Sequence, residues 1–168
     1  MTDRFVIEPL AAGVDRSGFR CGNDRIDTYF RQTVTQDIKR GYAACRVAVE
    51  ETTQQLAGFY TLSSSSVPLS EVPADLTRRL PRYPTVPAVL IGWLGRDERF
   101  SRAGVGELLL IDAIRTVADA PIGVHAIFAD AIDDRAAAFY ASFQFVQLQA
   151  RPTTWYIQLS TAVRSLGI

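Results

Sequence analysis

In 168 residues the chain has one lysine, one histidine and two cysteines. Cys21 and Cys45 give no disulfide framework, and the lone His125 does not complete a metal-ligand spacing with them. Reduced thiols and no metal are the expectation. No uninterrupted apolar run is long enough to cross a bilayer. Asp3, Arg4 and Glu8 put charge where a secretory signal would be apolar. No internal repeat and no low-complexity linker divides the chain. These absences predict a single domain over residues 1–168, cytoplasmic and without a membrane partner.

What is present is arginine. Acids and bases balance at 18 each, and Lys39 is the single exception among the basic residues. A high-GC genome produces such a bias, but guanidinium groups also suit phosphate recognition through their forked donors. Arg78, Arg79 and Arg82 cluster with Asp75 as the only acid nearby, whereas acids gather later, at Glu107, Asp112, Asp119, Asp130, Asp133 and Asp134. The polarity permits an anionic partner without requiring one.

Periodicity predicts an α/β chain. "RFVIEPL" reads as a strand ending at Pro9. Ile26, Tyr29, Phe30, Val34 and Ile38 recur at helical spacing after a cap at Asn23 or Asp24, and Gly41 ends that helix. "YAACRVAVEE" and "LAGFYTLSSSSV" flank "TTQQ" as a hairpin, with Glu50 and Glu51 read as solvated. The Ser63–Ser66 run is expected to open a loop containing one short helical piece, "ADLTRRL". "AVLIGWLG" reads as a buried central strand, "ELLLIDAIRTVADA" as a helix and "GVHAIFAD" as a strand holding a satisfied His125. "IDDRAAAFYASF" is a helix capped by Asp133, and "TTWYIQLS" a final strand. The order gives a mixed sheet with helices packed on it.

Between the central strand and its helix lies "RFSRAGVGELLL". Glycines at a helix start let backbone N–H groups approach an anion that the helix dipole favours. The stretch lacks the Gly-Lys-Ser/Thr ending of a nucleotide P-loop and the GxGxxG spacing. On these residues alone, an anion site and a plain helix entrance both fit. Tyr140, beside Phe139 on an amphipathic helix, likewise fits a core position as well as a chemical one.

Strand, "RAGVG", helix, strand and a helix carrying "AFYASFQF" together resemble the GNAT acetyltransferases. More narrowly, the chain is similar to the GNAT toxins of type II toxin–antitoxin modules, which acetylate aminoacyl-tRNA and stop translation. "FRCGNDRIDTYF", "LAGFYTLSSSSV" and "YPTVPAVLIGWLGRD" match their early helix, central hairpin strand and cofactor strand. The resemblance implies a GNAT fold: a mixed, mostly antiparallel central sheet with splayed central strands and helices on both faces. It implies acetyl-CoA as donor, with its pyrophosphate on Arg102, Ala103, Gly104, Val105 and Gly106. The pantetheine arm and thioester fall to Leu94, Gly95 and Arg96, Asp133 is a pantetheine contact, and Tyr140 is the general acid. It also implies a ribbon-helix-helix antitoxin and a homodimer. Lys39, Arg40, Arg78, Arg79, Arg82 and Arg99 are the candidate RNA contacts, with Tyr83 available to stack.

The chain departs from the family pattern at five places. Ser101 stands where Arg or Gln is usual, Arg102 where small residues are, Trp93 where Arg is, Gly95 where Ala is, and Gln144 where Gly is. Two alternatives therefore stay open: an N-acetyltransferase of a small amine or protein N-terminus, and a GNAT-like binding module with impaired cofactor binding.

Overall fold

The computed structural model describes residues 4–168. Seven strands form one sheet in the order β1-β2-β3-β4-β5-β7-β6. They are β1 (Phe5–Pro9), β2 (Ala44–Glu50), β3 (Leu56–Pro68), β4 (Thr85–Arg96), β5 (Ala126–Asp130), β6 (Val146–Gln147) and β7 (Thr154–Gln158). The β4–β5 pair is parallel, whereas β1–β2, β2–β3, β5–β7 and β6–β7 are antiparallel. Among the described residues no helix is long and apolar enough to cross a membrane. The chain forms two compact units, one of Met1–Ser63 with Gly92–Ala113 and one of Ser64–Ile91 with Ile114–Ile168.

In the first unit, α1 (Asp24–Thr28) starts where the Asn23 side chain accepts from the Ile26 N–H, then passes through a π-helical stretch (Tyr29–Thr33) into α2 (Val34–Lys39). The apolar residues explain the π stretch. Ile26, Phe30, Val34 and Ile38 are strictly four apart, so an α-helix of 3.6 residues per turn would rotate each about 40° from the last. A wider π turn absorbs that drift and keeps the four on one face. The carbonyls it loosens are taken by Arg16, whose guanidinium donates to Phe30 O at 2.6 Å and Arg31 O at 3.2 Å. Phe30 stacks on Phe59 at 4.1 Å, and Phe19 meets both edge-on, at 4.7 and 5.5 Å.

Gly58 on β3 lets the backbone close up. A Cβ there would lie 2.8 Å from the Leu109 side chain and 2.9 Å from the Gly95 carbonyl. Glu50, expected to be solvated, is buried; its carboxylate accepts from the Thr53 N–H and hydroxyl at 2.8 and 2.7 Å and from Arg4 at 3.3 Å. A carboxylate at the end of β2 satisfies donors of the tight turn, so burial costs it little.

In the second unit, Val67, Val72, Val86, Ala88, Ala126, Phe128, Leu148 and Tyr156 form the core. The Ser63–Ser66 run does not open a loop: β3 continues through it to Pro68, and Val67 beyond it is fully buried. Strand pairing and the burial of Val67 override the weak strand preference of serine. The short helical piece is α3 (Ala74–Thr77), and α4 (Val105–Asp119) and α5 (Asp134–Ser142) follow the predicted segments. The final strand stops at Gln158, and α6 (Leu159–Leu166) follows, ending at Gly167 in the left-handed conformation at φ 68°. Gly167 was the one signal for this helix, since glycine is favoured one residue past a helix end. His125 is not satisfied as expected: its Nε2 is buried without a hydrogen-bond partner among the described residues.

Candidate active site

The end of β4 is locked before the glycine loop begins. Asp97, only 1% exposed, accepts from the Arg20 N–H at 3.1 Å and the Arg99 N–H at 2.9 Å. It also accepts from the Arg99 guanidinium at 2.9 and 3.0 Å. In return the Asp97 N–H donates to Ala57 O and the Glu98 N–H to Arg20 O. Burial alone would raise the Asp97 carboxyl, but Arg99 and the two backbone donors outweigh it and hold the group below its ordinary value. Arg99, a candidate RNA contact, thus spends its guanidinium on this knot.

A pH dependence follows. A depressed folded value gives stability that is present above the ordinary carboxylate range, near 3.9, and is lost as pH falls below it. Asp97→Asn is expected to cost about 1–3 kcal/mol at neutral pH, through weakened bonds to buried donors. Urea unfolding of both proteins at several pH values should show this gap closing below about pH 4. A gap that stays constant with pH would remove the ion pair from the account.

Beyond Asp97 the chain makes a 3-10 turn (Glu98–Phe100), then residues 101–104, then α4. Leu108 N–H donates to Gly104 O at 3.1 Å, so Gly104 is the residue from which the helix starts. The first N–H groups of a helix have no partner inside it, and Gly104 has no side chain to cap them. Gly104 has φ 78° and no heavy atom within 4 Å of where a Cβ would sit. Among the described residues the N–H groups of Gly104, Val105 and Gly106 have no hydrogen-bond partner, and Gly104 is exposed, a helix start that suits a phosphate anion. Ala103 is different, because its N–H is already given to Phe100 O at 3.3 Å. Arg102 is exposed and left-handed at φ 63°, a conformation that costs a non-glycine residue on the order of 1–3 kcal/mol and gathers at functional loops. Its side chain does not bury the loop.

On β4 itself, Gly95 is buried, and a Cβ there would meet Ile26 at 2.9 Å and Phe59 at 3.2 Å. Its neighbours Leu94 and Arg96 are half-buried. The Trp93 N–H donates to the Thr61 hydroxyl at 3.1 Å, a β3 side chain serving β4. The Trp93 ring lies flat on Tyr29 at 4.3 Å, which makes this departure from the family pattern a packing feature of the first unit.

Tyr140 and Asp133 belong to the second unit. Asp133 caps α5, its side chain accepting from the Ala136 N–H at 2.8 Å. Tyr140 is 5% exposed, with Phe139 and Phe145 against its ring at 5.5 and 5.3 Å. Burial, and after it the charge of Asp130, push its hydroxyl above the ordinary phenol value. It stays protonated through the neutral range and has a proton to give. Gln144 takes the left-handed position after α5, at φ 70°, where glycine is the usual residue. Phe145 N–H then returns to Tyr140 O at 3.2 Å, so the substitution preserves the turn that ends the tyrosine-bearing helix.

The candidate RNA contacts divide between the units. Lys39 and Arg40 are exposed at the end of α2 in the first. Arg78, Arg79, Arg82 and Tyr83 are exposed together on the stretch from α3 to β4 in the second. None of these five cations forms an ion pair among the described residues. Sequence reasoning missed Asp97, whose signal was an acid directly after a long apolar strand with a donor residue two positions on.

No family model matches the chain. It is 29% identical to "Probable toxin TacT" of Sinorhizobium fredii, over 96% of this chain and 94% of that protein. It is 33% identical to a "tRNA-acetylating toxin" of Mycobacterium tuberculosis, over 78% of each. Among solved structures, AtaT complexed with acetyl-methionyl-tRNAfMet superposes with a TM-score of 0.87 at 22% identity, covering 98% of this chain and 99% of that one. An AtaT mutant bound to the C-terminus of the antitoxin AtaR and to acetyl-CoA gives a TM-score of 0.82 at 20% identity, covering 99% and 100%. Seven strands in a mostly antiparallel order, a glycine loop opening α4 and a tyrosine-bearing α5 are thus the GNAT fold, and the chain belongs to the family of tRNA-acetylating toxins.

Proposed function

We propose that the chain is an acetyl-CoA-dependent N-acetyltransferase that acetylates the amino group of aminoacyl-tRNA and blocks translation. The observation that carries the reading is the start of α4 behind Gly104, whose N–H groups have no hydrogen-bond partner among the described residues and suit an anion. Family membership narrows the acceptor to aminoacyl-tRNA rather than a small amine or a protein N-terminus. An open Gly104 and an exposed Arg102 support an enzyme over a binding module that has lost its cofactor.

Acetyl-CoA supplies the activated acetyl group. The N–H groups of Gly104, Val105 and Gly106 hold its pyrophosphate, with Arg102 adding a charge-assisted contact. Ala103 contributes shape rather than a donor. Backbone groups at Leu94, Gly95 and Arg96 hold the pantetheine arm and polarise the thioester carbonyl. Asp133 is assigned as a pantetheine contact, with one carboxylate oxygen already spent on capping α5. The amine nitrogen forms a bond to the acetyl carbon, the carbon–sulfur bond breaks, and Tyr140 gives its proton to the departing thiolate; the nitrogen sheds one proton to solvent, from which the phenol is restored. The amine of an aminoacyl ester is less basic than that of lysine, so no residue is assigned as its base. A ribbon-helix-helix antitoxin, a homodimer and a cytoplasmic location complete the reading.

The test is transfer from labelled acetyl-CoA to total aminoacylated tRNA by the purified chain. Mild base should release the label as N-acetyl amino acid, and deacylated tRNA should take none. Label on polyamines or peptides alone, or no heat of acetyl-CoA binding, overturns the assignment.

A further inference from the structure

Among the described residues, the strongly exposed aromatic side chains are Tyr42, at 72%, and Tyr83, at 70%. Tyr83 stands beside an open groove of about 540 Å³ in the second unit, within the range of about 300–1,000 Å³ for small-ligand sites. Leu69, Val72 and Ala74 give it apolar walls, and Thr77, Arg82 and Tyr83 complete its lining. Arg82 continues the unpaired run of Arg78 and Arg79, while Glu71 close by is already held by Arg151 at 2.7 Å. The Thr77 hydroxyl donates to Ala74 O at 3.1 Å, which leaves its lone pairs free to accept.

We infer that this groove seats one unpaired nucleotide of the RNA, its base stacked on Tyr83 and its phosphate on Arg82. The inference deepens the proposed function and rests on its RNA substrate. A flat base fits apolar walls and an exposed phenol ring, and its edge N–H groups meet the free lone pairs of Thr77. Bases inside an A-form duplex present no face for stacking, so the occupant is a single-stranded end or loop rather than a stem. The cationic rim selects a phosphate-bearing occupant over an apolar peptide.

The test uses the full chain with an RNA hairpin carrying a short unpaired 3′ tail that contains 2-aminopurine, whose fluorescence falls on stacking. The variants are Tyr83→Ala, Tyr83→Phe and Arg82→Gln. At an exposed position, Tyr83→Ala should leave the fold intact. It should lose the quenching and raise the tail Kd about 5- to 150-fold, since stacking on an aromatic ring is worth about 1–3 kcal/mol per base. Tyr83→Phe should keep both. The slope of log Kd against log salt should be unchanged in Tyr83→Ala and shallower by about 0.7 in Arg82→Gln. A wild-type Kd and quench in Tyr83→Ala, or a blunt duplex that competes as well as the tailed hairpin, overturns the inference. So does a Tyr83→Ala defect seen only in antitoxin binding. A chain that quenches the tail yet acetylates no aminoacyl-tRNA would overturn the proposed function and leave this subsite standing. Acetylation with an unmoved Kd in Tyr83→Ala does the reverse.

Discussion

Tyr140→Phe is expected to lower kcat for aminoacyl-tRNA acetylation about 100- to 10,000-fold, the span typical of a removed general acid. The affinity for acetyl-CoA should stay within about twofold, because the loop that would hold the pyrophosphate does not depend on the phenol oxygen. The substitution keeps the ring, and with it the contacts to Phe139 and Phe145 that bury the side chain. Stability should therefore change little, which separates a chemical role from a packing one. The pH profile adds a second readout. The hydroxyl lies above the ordinary phenol value near 10. Its loss of a proton should thus leave kcat flat through neutrality and into mild alkali. Any fall toward acid then reports protonation of the acceptor amine. Equal turnover by the two proteins, or equal growth arrest on induced expression, would remove Tyr140 from the mechanism.

Replacing Arg78, Arg79 and Arg82 together with alanine should abolish tRNA acetylation at physiological salt while acetyl-CoA binding persists. The three guanidinium groups are exposed and form no ion pair among the described residues, so the change removes charge without uncovering a buried partner. Three exposed contacts of up to about 1 kcal/mol each amount to a loss on the order of 100-fold in tRNA affinity. Every phosphate left without its guanidinium should also make log Kd against log salt shallower by about 0.7–0.9, a total of about 2–3. Fluorescence anisotropy with labelled tRNA over a salt series gives both numbers. Unchanged tRNA turnover, or a weakened affinity with the full wild-type salt slope, would remove this cluster from the RNA contacts. Arg99→Ala should behave differently, because its guanidinium already serves Asp97: its cost should appear in unfolding rather than in tRNA affinity.

Local signals were enough for much of the candidate site. The strand before the glycines, the helix after them and the Asp133 cap each rest on residues within one turn of one another. Tyr140 falls on its helix for the same reason. The departures from the family pattern were visible as letters but not as consequences. In the fold, Gln144 takes the left-handed turn, Trp93 lies on the face of Tyr29, and Arg102 is exposed. None of these placements is encoded in neighbouring residues.

The sequence by itself determined the order of helices and strands apart from the short β6 and the terminal α6, together with the caps, the glycine loop and the family, since periodicity, capping and turn chemistry act over about four residues. Only the tertiary structure decided what lies far apart in the chain. Arg20 meets Asp97 across 77 positions, Arg46 meets Asp112 across 66, and β3 runs on through four serines that read as a loop. The physical reason is burial. A carboxylate such as Asp97 is placed by the distant donors that repay its desolvation, and a serine strand by the sheet it completes. Both depend on contacts that exist only once the chain has folded.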